Sequence, residues 1–71
     1  MLPKQNYITK IDEASSTVTY IGRAARGSTT TAAVWQIMKV TVSGNITTIA
    51  WAGGFDTFIN VWDDRAGLSY S

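Results

Sequence analysis

The 71-residue chain has no cysteine and no histidine. The first absence removes disulfides and thiolate chemistry. The second removes the usual general base, so the familiar nucleophilic triads cannot be built. Together they leave a zinc or copper site with carboxylates alone, a donor set these metals rarely use by itself. An excess of one charge sign is missing too. Six basic and five acidic residues leave a net charge of +1, without the basic bias of a dedicated nucleic-acid binder or a polybasic membrane patch. No apolar run extends beyond a few residues, which excludes a bilayer-spanning helix. The opening Met1-Leu2-Pro3-Lys4-Gln5-Asn6 lacks the apolar core of a signal peptide. The expectation is a protein made and used without export.

Leucine is also scarce, with only Leu2 and Leu68, whereas Ile, Val and Thr together number 22. β-Branched side chains lose rotamer freedom in helices and sit well on pleated strands. With three tryptophans and regular turn signals, this composition reads as all-β. The length allows one domain, expected as a small antiparallel β sandwich or barrel of about five or six strands over residues 7–71, preceded by a flexible arm, residues 1–6. Such a domain buries only about 60% of its unfolded surface. Without disulfide or metal, the common remaining source of stability is self-association or docking on a larger assembly.

Along the chain, Tyr7–Asp12 and Thr17–Gly22 read as a first hairpin joined by Glu13-Ala14-Ser15-Ser16. That loop sets Ile11 opposite Val18, Thr9 opposite Tyr20, Lys10 opposite Thr19 and Ile8 opposite Ile21. Residues 23–33 are small and hydroxylated, and read as an irregular crossing with a short helical turn through Thr31–Val34. Val34–Ala52 is the strongest hairpin, because Gly44-Asn45 fits a two-residue connection with Gly first. Its register sets Met38 against Trp51, Val40 against Ile49 and Val42 against Thr47, with Thr41–Thr48 and Lys39–Ala50 on the other side. A one-residue slip would mix Lys39 with Ile49 or Trp51. Trp35 and Ile37 lie on the otherwise polar side and call for a second packing layer, from this chain or another. Gly53-Gly54 ends the hairpin, and short strands are expected around Phe58–Trp62 and Leu68–Tyr70.

No constellation points to catalysis. Asp63 and Asp64 are adjacent, so on a strand they face opposite sides; capping a turn, with Arg65 paired to an aspartate, explains them. Asp56, Asp63 and Asp64 fall short of the six or more oxygens calcium takes, and no metal or cofactor is expected. Arg26-Gly27-Ser28 and Gly53-Gly54 lack phosphate-loop spacing. Arg23, Arg26 and Lys39 beside three tryptophans admit a small nucleic-acid-binding β barrel that stacks bases on aromatics. Solvated loop residues or partner contacts account for Arg23 and Arg26 more simply. Tyr20, Trp35, Ile37, Phe58 and Trp62 are the candidates for core or intersubunit packing, since aromatics are enriched at interfaces. Arg23, Arg26, Asp63, Asp64 and Arg65 are the candidates for turn or partner contacts.

Three segments, Tyr20-Ile21-Gly22-Arg23-Ala24, Ala33-Val34-Trp35-Gln36-Ile37 and Asn60-Val61-Trp62-Asp63-Asp64-Arg65-Ala66, occur in an order and spacing that resembles small β proteins of tailed bacteriophages. The resemblance runs from about Thr19 to Tyr70. It departs at Arg26, where the family usually has proline before the glycine, and at Met38-Lys39, where it commonly has a basic pair. Both departures concern surface chemistry and bear on partner choice more than on fold. The resemblance implies a non-enzymatic structural virion protein of the tail, neck or fibre-attachment region, assembled in the bacterial host cytoplasm. Its partners would be other virion proteins and further copies of itself in trimer- or hexamer-related symmetry, with no membrane or nucleic acid. A phage-encoded regulator or inhibitor of a host protein is the other alternative.

Overall fold

A computed structural model describes residues 6–71. Its strands are β1 (Tyr7–Glu13), β2 (Val18–Ala25), β3 (Ala33–Ser43), β4 (Ile46–Trp51) and the short β5 (Asn60–Val61), followed by a 3-10 helix, Trp62–Gly67. The first four form an antiparallel meander in the order β1-β2-β3-β4, and β5 pairs with the start of β3. Among the described residues the sheet neither closes into a barrel nor meets a second sheet. The sandwich or barrel expected from composition is therefore corrected to an open sheet with one short helix. The physical reason lies in residues 53–71. Gly53 and Gly54 take positive φ, and the chain beyond them packs Trp62 and Tyr70 on the core, with only two residues in β5 and one bridge, Tyr70 to Ala52. The expectation for residues 1–5 of the arm lies outside the described residues. Asn6 accepts a hydrogen bond from the Arg26 amide at 2.7 Å.

The second hairpin has the register that its alternation predicts: Met38–Trp51, Lys39–Ala50, Val40–Ile49, Thr41–Thr48 and Val42–Thr47. Gly44 sits at φ 59°, the left-handed value its place in a two-residue turn requires. The first hairpin differs from expectation. Its strands run to Glu13 and Ala25, and its register pairs Ile11 with Ile21, Thr9 with Arg23, Lys10 with Gly22 and Ile8 with Ala24. The chain reverses around Ser16, because the Ser15 hydroxyl accepts from the amide of Val18 at 3.1 Å, and the Ser15 amide donates to the Val18 carbonyl. That side-chain turn competes with the simpler loop. Arg23 is consequently a strand residue, and the irregular crossing is shorter than expected. Its turn spans Thr29–Ala32, closed by the Ala32 amide on the Thr29 carbonyl, and Ala33 and Val34 are already strand.

One face of the sheet carries the core. Tyr20, Ala24, Trp35, Ile37, Ala52 and Trp62 are buried together, with Val18, Leu68 and Tyr70 against them. Strand alternation brings Tyr20, Gly22 and Ala24 to the same side as Trp35 and Ile37. The C-terminal segment lies across that side. The second layer that Trp35 and Ile37 call for thus comes from the chain's own end.

Candidate docking face

The covered face is held by polar contacts as well as by rings. Trp35 and Trp62 pack with ring centroids 5.6 Å apart, and the Trp35 indole N–H donates to the Thr29 carbonyl at 3.0 Å, satisfying a buried donor. Arg65 donates through Nε to Asp12 Oδ2 at 3.0 Å and through Nη1 to the Trp62 carbonyl at 3.1 Å. Its guanidinium also lies 4.5 Å from the Trp62 ring centroid. The aspartate paired with Arg65 is therefore Asp12 on β1, rather than an acid of its own turn. Asp63 instead accepts from the Thr30 hydroxyl at 3.2 Å, while its amide donates to the Thr30 carbonyl. Asp64 is exposed. Tyr70 donates to the Arg65 carbonyl at 2.8 Å. Burial, and then the neighbouring Tyr20, push its phenol up to about 12, against a smaller opposing pull from Arg65.

The other face has two zones. At its base the loop after Gly53-Gly54 folds back over it. Buried Gln36 donates to the Asp56 carbonyl at 2.8 Å and accepts from Arg23 Nε at 3.3 Å. Phe58 stacks on Tyr7 with centroids 5.8 Å apart, and Arg23 lies 5.0 Å from the Tyr7 ring centroid. Tyr7, Ala25, Ser28, Val34 and Phe58 line a shallow hollow of about 360 Å³ there. Phe58 is 37% exposed, whereas the other four packing candidates, Tyr20, Trp35, Ile37 and Trp62, are buried in the core. Arg26 is exposed at the end of β2.

Beyond that base the face is apolar and, among the described residues, partly to well exposed. The registers line up Ile11, Ile21, Met38 and Trp51 as one apolar row across all four strands. The next row towards the turns is Glu13, Thr19, Val40 and Ile49. Ile11 is 63% exposed and Ile49 is 59% exposed, yet both belong to this continuous patch. An apolar patch that crosses a whole sheet differs from scattered surface hydrophobics and is a candidate contact surface. Sequence reasoning counts Trp51 among the rings open to core or interface packing, but singles out none of Ile11, Ile21 or Met38. The signal that finds the row is the pairing of Ile11 with Ile21, which only the corrected first register supplies.

Among the described residues, no group of three or more acidic, histidine or cysteine side chains stands together as a metal site. A second hollow, about 460 Å³, lies beside the 3-10 helix and is lined by Asp63, Asp64, Ala66, Gly67 and Leu68. No helix among the described residues is long and apolar enough to cross a membrane. No protein-family model, curated protein or solved structure matches this chain.

Proposed function

We propose that this chain is a structural subunit of a bacteriophage virion, in the tail, neck or fibre-attachment region. It acts without catalysis or cofactor, by docking the apolar face of its sheet on another protein. The observation that carries the docking role is the row Ile11–Ile21–Met38–Trp51, which crosses all four strands of the meander and begins at the well-exposed Ile11. Sheets bury such faces against a second layer, and on this reading the expected sandwich is completed only on assembly. The virion assignment rests on the resemblance of the segments around Tyr20, Trp35 and Trp62 to small phage β proteins. It places the protein in particles, with other virion proteins and symmetric copies of itself as partners.

Quantitative mass spectrometry of density-purified phage particles from the source of this gene tests it. A fixed copy number that is a multiple of three or six supports a tail or neck component. Absence from particles, with abundant protein in infected cells, overturns the assignment in favour of a host-protein regulator or a nucleic-acid binder.

A further inference from the structure

We infer that two copies of this chain pair edge to edge through β1, antiparallel, about a two-fold axis that passes between their Ile11 residues. The inference goes beyond the docking reading. It rests on a strand edge, and neither on the apolar face nor on the virion assignment.

Hydrogen-bond alternation is the first argument. The Arg26 amide bonds the Asn6 carbonyl, which makes Asn6–Arg26 a hydrogen-bonded position continuous with the β1–β2 register. Such positions alternate along an antiparallel ladder, so Ile8, Lys10 and Asp12 turn their backbone groups to β2. Tyr7, Thr9, Ile11 and Glu13 turn theirs outward. β1 stands at the end of the strand order, and among the described residues no other backbone pairs with that outer side. A row of outward donors and acceptors takes an extended strand. The opposite edge offers less. On β4 the Ala52 amide bonds the Ile37 carbonyl, so Thr47, Ile49 and Trp51 face outward. Trp51 already exchanges two hydrogen bonds with Ser71, at 3.2 and 3.1 Å.

Charge selects the register, and with it the partner. β1 carries Lys10, Asp12 and Glu13, and charges on an edge deter indiscriminate pairing. Between two antiparallel β1 strands, an axis at Lys10 sets lysine on lysine, and an axis at Asp12 sets aspartate on aspartate. Like charges directly opposite are unfavourable. An axis at Thr9 leaves Lys10 opposite the partner's Ile8. An axis at Ile11 sets Lys10 opposite the partner's Asp12 on both sides, Ile11 opposite Ile11, and Thr9 opposite the partner's Glu13. The charged strand is thus complementary to itself in this register. Among the described residues Lys10 has no ion pair of its own. Asp12 holds Arg65 through Oδ2, and its Oδ1 remains able to accept from the partner's lysine. The Ile11 position and the two Thr9–Glu13 positions supply about six backbone hydrogen bonds.

The pairing also extends the apolar face. A two-fold perpendicular to the sheet keeps the same face of both copies on one side. The row Ile11–Ile21–Met38–Trp51 of each copy then meets the other at Ile11 and runs on across both sheets. A two-fold contact consumes both β1 edges and closes at two copies. One strand pair is a small contact, at the weak end of specific interfaces, so the dimer forms with concentration.

Sedimentation equilibrium of the full chain, from about 10 µM to about 1 mM, reads the outcome, because weak interfaces dissociate within that range. A concentration-dependent dimer is expected. Lys10→Glu should weaken it about 3–10-fold by setting acid against the partner's Asp12. Thr9→Pro removes an outward donor and leaves the β1–β2 ladder its own bonds, so it should return the chain to monomer with the thermal transition retained. Single cysteines report the register, since the chain has none. Ile11→Cys, at a well-exposed position, places two thiols on residues whose Cα atoms stand about 5.5 Å apart, within disulfide range. Mild oxidation should link it several-fold faster than Thr9→Cys, whose two positions lie about 13 Å apart along the paired strands. Thr47→Cys reports on the rival β4 edge and should link no faster than Thr9→Cys. A chain monomeric throughout, a dimer indifferent to both Lys10→Glu and Thr9→Pro, or fastest linkage at Thr47→Cys overturns the inference. A monomer that is nevertheless present in purified particles overturns the β1 pair alone. A β1-dependent dimer absent from particles overturns the virion assignment alone.

Discussion

The indole of Trp62 rests against the backbone of Gly22. A Cβ built on that glycine would stand 2.5 Å from both Cε3 and Cζ3 of the Trp62 ring and 3.2 Å from Cε3 of Trp35. Gly22 has no positive φ, so the requirement there is for space and not for backbone freedom. The contact seats the last turn of the chain on the middle of the sheet.

Gly22→Ala should therefore destabilise. At an unobstructed strand position the change would gain up to about 1 kcal/mol through the unfolded chain. Here overpacking costs about 1–3 kcal/mol and reverses the sign. Urea unfolding decides it, and a midpoint equal to or above that of the parent protein would contradict the packing.

Trp62→Ala should remove about 3–5 kcal/mol, because the ring is 5% exposed and packs on Trp35. A domain of this size holds about 4–10 kcal/mol in total, so the variant should lose most of its folded population on mild heating. Circular dichroism melts provide the check. An unchanged midpoint would show that the C-terminal cover is dispensable.

Asp12 and Arg65 join β1 to the chain end across 53 residues. Both are partly exposed, so the ion pair itself should contribute only about 0.5–1 kcal/mol and fade with salt. Arg65→Ala should cost more than Asp12→Asn, since it also strips the guanidinium from Trp62. A double-mutant cycle at low and high salt separates the two. Equal single costs would count against the stacking contribution.

Tyr70 supplies the pH dependence. Its phenol, pushed up to about 12, holds its proton more tightly in the folded than in the unfolded chain, where it titrates near 10. Its contribution is complete below about pH 10 and is lost as pH rises towards about 12. Tyr70→Phe should flatten that decline and also lose the bond to the Arg65 carbonyl. Unfolding curves across this range, with tyrosinate absorbance followed in parallel, test the assignment. A decline of the same size in the phenylalanine variant would refute it.

Gln36→Leu should free the loop after Gly54. It leaves the Asp56 carbonyl without its donor, at about 1–2 kcal/mol. Amide exchange in residues 55–59 should quicken, and the ring-current signature of Tyr7 on Phe58 should weaken. Unchanged exchange would show that the loop is held by other contacts.

By itself the sequence determined that this is a β protein, and it determined the Val34–Ala52 hairpin with its register. Both are local matters: β-branched composition, alternation, and a glycine where the turn needs a left-handed residue. The burial of Trp35 and Ile37 was legible in the same way, as apolar residues on a polar side. Contacts between distant residues settled the rest. The Ser15 hydroxyl on the Val18 amide moved the first hairpin by three residues, and that shift together with the β2–β3 register aligned Ile11 and Ile21 with Met38 and Trp51. The partner of Arg65 was 53 residues away, out of reach of any reading of neighbours. Which face the chain end covers depends on the space left at Gly22 for Trp62. Local pattern specifies strands and turns. The choice between two faces, each with apolar side chains, is made by packing between residues far apart in the chain.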